Sequence, residues 1–125
     1  MTNSHNKKFK IGIVIPSCDK YSDIWPYFFN NLYKFWNNCP LDIYLISNIK
    51  SYSSNNIINI NIGEDISWSQ NLKKGLDRIE NQYIFLILDD LILNRKISNT
   101  LFDKIFKWVI LNEPNYLRLH ISSKP

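Results

Sequence analysis

The chain has 125 residues, the size of one ordinary domain. Its 45% hydrophobic and 21% charged residues are the proportions of a folded globular chain, which excludes intrinsic disorder. The formal charge of +4 is spread over Lys and Arg residues that interleave with Asp, Glu and Asn, so no basic stripe of the kind that tracks nucleic acid is present.

Residues 1–9 are polar and basic and read as a loose tail ahead of one domain over residues 10–125. The apolar run after them stops at Pro16, too short for a signal-peptide core and its cleavage site. The longest later apolar run, residues 83–93, is interrupted by Asp89 and Asp90 and falls short of the roughly 20 apolar residues of a membrane span. Cys18 and Cys39 have no metal-ligand spacing and read as reduced thiols. The expectation is therefore a cytoplasmic protein without a transmembrane segment, with a mildly positive surface that also suits a peripheral position on an anionic membrane.

Residues 10–16, a β-branched run closed by Pro16, predict a buried strand. Ser22 or Asp23 can cap a helix that has Pro26 in its first turn and carries Ile24, Phe28, Leu32 and Phe35 at helical spacing. Tyr27, Phe29 and Tyr33 point elsewhere, so this helix is apolar around much of its girth. It is a candidate for contact with a protein partner or a second copy. Residues 41–47 predict a second strand, 48–56 a polar loop, and Ile58, Ile60 and Ile62 a third strand with a wet face made by Asn59 and Asn61. Gly63 ends that strand. Ser67 then caps a helix with Trp68, Leu72, Leu76 and Ile79 on its inner face. Residues 83–88 predict a central buried strand ending at Asp89 and Asp90. Residues 98–111 predict a helix with Leu101, Ile105, Trp108 and Val109 inward, and residues 116–121 a last strand.

Strands that alternate with helices and are continuously apolar predict an α/β fold: a mainly parallel, Rossmann-like sheet with helices on both faces. In such sheets ligands bind beyond the carboxyl ends of the strands. Asp89 and Asp90 follow a strand there, flanked by Leu88 and Leu91. Two carboxylates in apolar surroundings are costly unless a cation or ligand hydroxyls offset the charge. Mg²⁺ or Mn²⁺ held by these acids together with substrate phosphates is the expected form, against the plainer alternative of one capping and one solvated Asp. The loop Pro16-Ser17-Cys18-Asp19-Lys20 offers amides, a hydroxyl and a carboxylate, or is simply a turn. The helix start at residues 67–75 suits an anion, or only caps and packs. Arg118 is either a cation facing the site or an edge residue. Neither His5 nor His120 is placed to activate Cys18 as a nucleophile.

Residues 13–20, the Gln70-Asn71-Leu72 segment and Leu88-Asp89-Asp90 together resemble the donor-binding half of GT-A glycosyltransferases, especially the large inverting family 2. The likeness runs over residues 10–93. It implies that Pro16, Ser17 and Asp19 border the base, with Asn48 and Asn71 beside the donor, and that Asp89 and Asp90 face ribose, metal and diphosphate. A UDP-linked sugar donor and a sugar or lipid-linked acceptor are the implied substrates. The chain departs from the pattern in three places: Leu91 stands at the third position of the acidic motif, Asn48 where an Asp is frequent, and Gln70 where an Arg is frequent. The resemblance stops before the acceptor-binding part that carries the general base, so a donor-binding module without turnover is the alternative. A flavodoxin-like receiver domain is a further alternative, disfavoured because the first strand ends in Pro16-Ser17 rather than in acids.

Overall fold

The structure, a computed structural model, describes residues 11–54 and 56–119. In chain order it contains β1 (Ile11–Pro16), a 3₁₀ segment (Asp19–Ile24), α1 (Trp25–Phe35), β2 (Asp42–Ser47), β3 (Ile57–Asn61), α2 (Trp68–Leu76), β4 (Tyr83–Leu86) and α3 (Asn99–Asn112). The four strands form one parallel sheet in the order β3-β2-β1-β4. This is a generic Rossmann-like α/β architecture, with helices on both faces.

Period-two alternation sorts the strand residues between two cores. Ile11, Ile13 and Ile15 of β1 and Ile43 and Leu45 of β2 meet Trp25, Phe28, Phe29 and Leu32 of α1, with Trp36 and with Phe102 of α3. Val14, Ile46, Ile60 and Ile62 on the other face meet Leu72 and Leu76 of α2. All six residues of β1 are buried, as suits an interior strand paired on both sides, by β2 and β4. Each large apolar side chain so buried stabilises the fold by about 1.5–3 kcal/mol.

α2 lies very close to β2. A Cβ on Gly75 would overlap the side chain of Ile46, so the absence of a side chain there sets the helix–sheet spacing. Gly63, at φ 85°, takes the left-handed turn that ends the β3 segment.

Several expectations are corrected. β4 is an edge strand of the described sheet, four residues long, and Ile84 and Leu86 on its α2 side are about two-fifths exposed. α2 covers the β1–β3 part of that face and does not reach β4. No strand forms over residues 116–119, and Arg118 is exposed; His120 and Ile121, like the tail at 1–9, lie outside the described residues. α1 begins after the 3₁₀ segment with Ile24 as its N-cap, so neither Ser22 nor Asp23 caps it, although Pro26 does sit in the first turn. The aromatic side chains of α1 go mostly into the core. Phe28 and Phe29 are buried, Tyr33 is half-buried, and Tyr27 is exposed, so the helix has no broad uncovered apolar face. In α3 the inward stripe is Phe102, Phe106 and Val109, drawn by the ring cluster with Trp36 and Phe85, while Leu101 and Trp108 turn outward.

The wet face of β3 is covered as well. Asn59 pairs through its amide with the backbone N–H and C=O of Tyr52, at 2.9 and 3.0 Å. The Asn61 amide donates to the Ser47 hydroxyl and to the Lys50 carbonyl, both at 2.9 Å. The two Asn side chains therefore satisfy backbone groups of the polar loop, a job that solvent-facing residues would not do.

Candidate functional site

The carboxyl ends of β1, β2 and β4 are held together by the backbone. Ser17 N–H donates to the Ile46 carbonyl and Ile87 N–H to the Val14 carbonyl, so the chains leaving β1 and β4 run on side by side past the sheet. A side-chain relay joins them. The buried Trp25 indole donates to the Ser17 hydroxyl at 2.9 Å, and that hydroxyl donates to Asp89 Oδ2 at 2.6 Å. A hydroxyl accepts one bond while giving another, and no apolar side chain of that size could fill this place. The relay draws together two segments 72 residues apart in sequence. Asp89 is half-buried, and its Oδ1 takes no hydrogen bond from the described residues.

A second knot lies behind the first loop. The Asp19 carboxylate accepts the backbone N–H groups of Asn48, Ile49 and Lys50 at 3.0–3.1 Å. Asp19 N–H donates in return to Asn48 Oδ1 at 2.9 Å, and the Asn48 amide donates to the Gly63 carbonyl at 3.0 Å. Charge-assisted bonds of this kind are the strong ones. They tie the loop after β1 to the loop after β2 and to the end of β3.

Above these exits lies an open cavity of about 270 Å³, lined by Pro16, Ser17, Cys18, Tyr21, Ile46, Asp65, Trp68, Asn71, Leu72 and Asp89. α2 forms one wall. Ser67 caps that helix, its hydroxyl accepting Gln70 N–H. Asn71, buried, accepts Ile66 N–H through Oδ1 at 3.2 Å and donates to Asp65 Oδ1 at 2.6 Å, which aims the Asp65 carboxylate.

Of the residues singled out in the sequence, the cavity gathers Pro16, Ser17, Asn71 and Asp89. Asp19 and Asn48 stand outside it, bonded to one another and to backbone. Asp90 is exposed and does not line the cavity. Sequence reasoning missed Asp65, Tyr21 and Trp68. Asp65 was discoverable by the rule that pointed to Asp89, since it follows Gly63 just past the carboxyl end of β3. Trp68 was assigned to the inner face of its helix, yet it is 58% exposed, because at the first helical position it overhangs the cavity instead of facing the sheet.

Asp65 and Asp89 line the same cavity, but among the described residues no three His, Cys, Asp or Glu side chains come together to hold a metal ion. Mg²⁺ and Mn²⁺ are commonly held by one or two carboxylates with phosphate oxygens completing the shell. Cys18 is half-buried at the cavity. Cys39 packs against the core, where burial pushes its thiol up to about 11 despite a backbone hydrogen bond at Leu41 that acts the other way. No helix among the described residues is long and apolar enough to cross a membrane. Comparison with protein-family models, with curated proteins and with solved structures finds no match to this chain.

Proposed function

We propose that the cavity binds the nucleoside diphosphate of a sugar nucleotide, and that the chain acts as the donor-binding half of a GT-A-like glycosyltransferase. The observation that carries this reading is the Ser17–Asp89 hydrogen bond. It supports a single site built from the two segments whose sequences resemble the donor loop and the acidic motif of that family.

In this reading Asp89 uses its unoccupied oxygen to accept from a ribose hydroxyl, while the Ser17 hydroxyl fixes the rotamer. Asp65 stands on the α2 side of the cavity. The diphosphate lies toward the first turn of α2, whose free N–H groups favour negative charge. Asp65, at that wall of the cavity, is available to a divalent ion riding on the diphosphate, whereas Asp90 lies outside the cavity. Such an ion would stabilise the charge that builds on the leaving diphosphate. Sugar transfer also requires a base within hydrogen-bond reach of the acceptor hydroxyl. Donor binding is the part of the reaction to which the cavity residues answer. The Rossmann-like topology is compatible with many activities, and it is the side chains at the strand ends that favour this one.

The test is a thermal melt with UDP and Mn²⁺. A ligand that binds only the folded state at 100 times its Kd stabilises by about 2.7 kcal/mol. The melting temperature should rise for the wild type and not for Asp89→Ala. A full response in Asp89→Ala moves the site elsewhere, and no response in the wild type to any nucleoside diphosphate ends the reading.

A further inference from the structure

The two aromatic residues of the cavity are more than half uncovered. Trp68 is 58% exposed and Tyr21 52% exposed, and both line the same open space. Trp25 and Trp36, by contrast, are buried with their indole N–H groups bonded. Trp68 is the first residue of α2, directly after the Ser67 cap, and Tyr21 sits in the 3₁₀ segment, its N–H bonded to the Cys18 carbonyl at 3.0 Å. Short anchored elements therefore present both rings to the cavity. Between them its lining is apolar at Pro16, Ile46 and Leu72.

Two of the residues that the resemblance sets beside the base are committed elsewhere. Asp19 spends its carboxylate on three backbone amides, and Asn48 spends both ends of its amide on Asp19 and Gly63. Asn71 gives one lone pair to Ile66 N–H and one amide hydrogen to Asp65, and keeps a second hydrogen. The cavity thus offers two exposed aromatic side chains to a planar heterocycle and carboxylate oxygens to sugar hydroxyls.

We infer that Trp68 and Tyr21 form the nucleobase platform of this cavity, holding the base by stacking rather than by hydrogen bonds to its edge. This rests on the nucleotide reading above and adds to it the residues that grip the base and a consequence for specificity. Stacking is tolerant of base identity, because every base has a π-face. The site should accept pyrimidine and purine diphosphates alike.

Calorimetric titration of the full chain with UDP, GDP, ADP and inorganic pyrophosphate, with Mn²⁺ present, tests it. The three nucleotides should bind the wild type within about fivefold of one another, as expected of stacking without edge readout. Trp68→Ala should weaken UDP by about tenfold or more, Tyr21→Ala less, and Trp68→Phe only slightly. Pyrophosphate, which has no ring, should bind wild type and Trp68→Ala equally. Both side chains are more than half exposed, so the variants should fold, and far-UV circular dichroism checks this. UDP binding that is unchanged in both Ala variants overturns the platform while the nucleotide reading stands. So does a preference for one base beyond about 100-fold, since edge recognition is then at work. Equal loss of pyrophosphate and UDP in Trp68→Ala also overturns it. Failure of all three nucleotides to bind the wild type removes both.

Discussion

Ser17→Ala is the sharpest probe of how the site is assembled. The substitution deletes one hydroxyl and leaves two groups behind. The Trp25 indole N–H, in a side chain only 3% exposed, loses its acceptor. Asp89 Oδ2 loses a 2.6 Å bond, but Asp89 is only half-buried and water can take the place of the hydroxyl. A buried donor left unsatisfied costs about 1–3 kcal/mol, and a hydrogen bond to a charged group contributes about 1.5–3 kcal/mol, less where water competes. The indole should dominate, and the expected loss is about 2 kcal/mol. For a domain of this size that lowers the melting temperature by about 6–12 °C. The assay is urea unfolding of Ser17→Ala alone and in a Trp25→Phe background. With the indole donor already gone, Ser17→Ala should cost less than about 1 kcal/mol, a coupling well within the range seen for residues in one network. If the loss is the same in both backgrounds, or below about 0.5 kcal/mol in each, the relay does not hold the two loops together and the argument for a composite site fails.

Asp19→Ala should destabilise by about 3 kcal/mol, because three amides lose a charged acceptor, and Asn48, Ile49 and Lys50 should exchange their amide protons much faster; unchanged exchange there would show that the knot is not formed. Gly75→Ala should cost about 1–3 kcal/mol through overlap with Ile46, and Ile46→Val, which removes the methyl first in the way, should recover part of it in the double variant; additive losses in chemical denaturation would refute the contact. Cys39 should resist alkylation in the folded chain at pH 8, where a thiol pushed up to about 11 is ionised at roughly one part in a thousand; labelling at the rate of a free thiol would place it outside the core. The same shift has a stability consequence. The folded thiol holds its proton above its ordinary value of 9.0, so its contribution is complete below pH 9 and is lost as pH rises toward 11, at most about 3 kcal/mol. Tyr44, raised by burial and then by Asp42 and Glu80, acts in the same direction. An alkaline melting series that stays flat to pH 11 would contradict both.

Much of the architecture was legible because it rests on local signals. The β-branched run at residues 11–16 with Pro16 behind it forms β1, and the Ser67 and Ser98 hydroxyls cap α2 and α3 as side chains of that type do. Alternation of strands with helices was enough for a parallel sheet with helices on both faces, because parallel strands need crossover connections. It was also enough to say at which end of the sheet to look. Periodicity failed wherever a residue's environment depended on a distant element. Leu101 and Trp108 fit an inward helical stripe, yet the neighbouring stripe through Phe102 and Phe106 meets Trp36 and Phe85 and wins the core. Residues 83–88 read as a central strand because they are apolar throughout, but strand order is not a local property, and β4 lies at the edge with Ile84 and Leu86 uncovered.

The chain's own order of residues was sufficient for the four parallel strands, though not their order, and for the two segments, Pro16–Ser17 and Asp89–Asp90, that lie at the strand ends. Folding in three dimensions alone decided which of their side chains meet. Asp19 and Asn48 are drawn onto each other and onto backbone amides, Asp90 is left outside, and Asp65, Tyr21 and Trp68 complete the cavity around Asp89. The reason is that a hydrogen bond is satisfied once. Which partner a polar group takes depends on what the fold brings within about 3 Å of it, and that distance is set by packing between segments that sequence spacing keeps far apart.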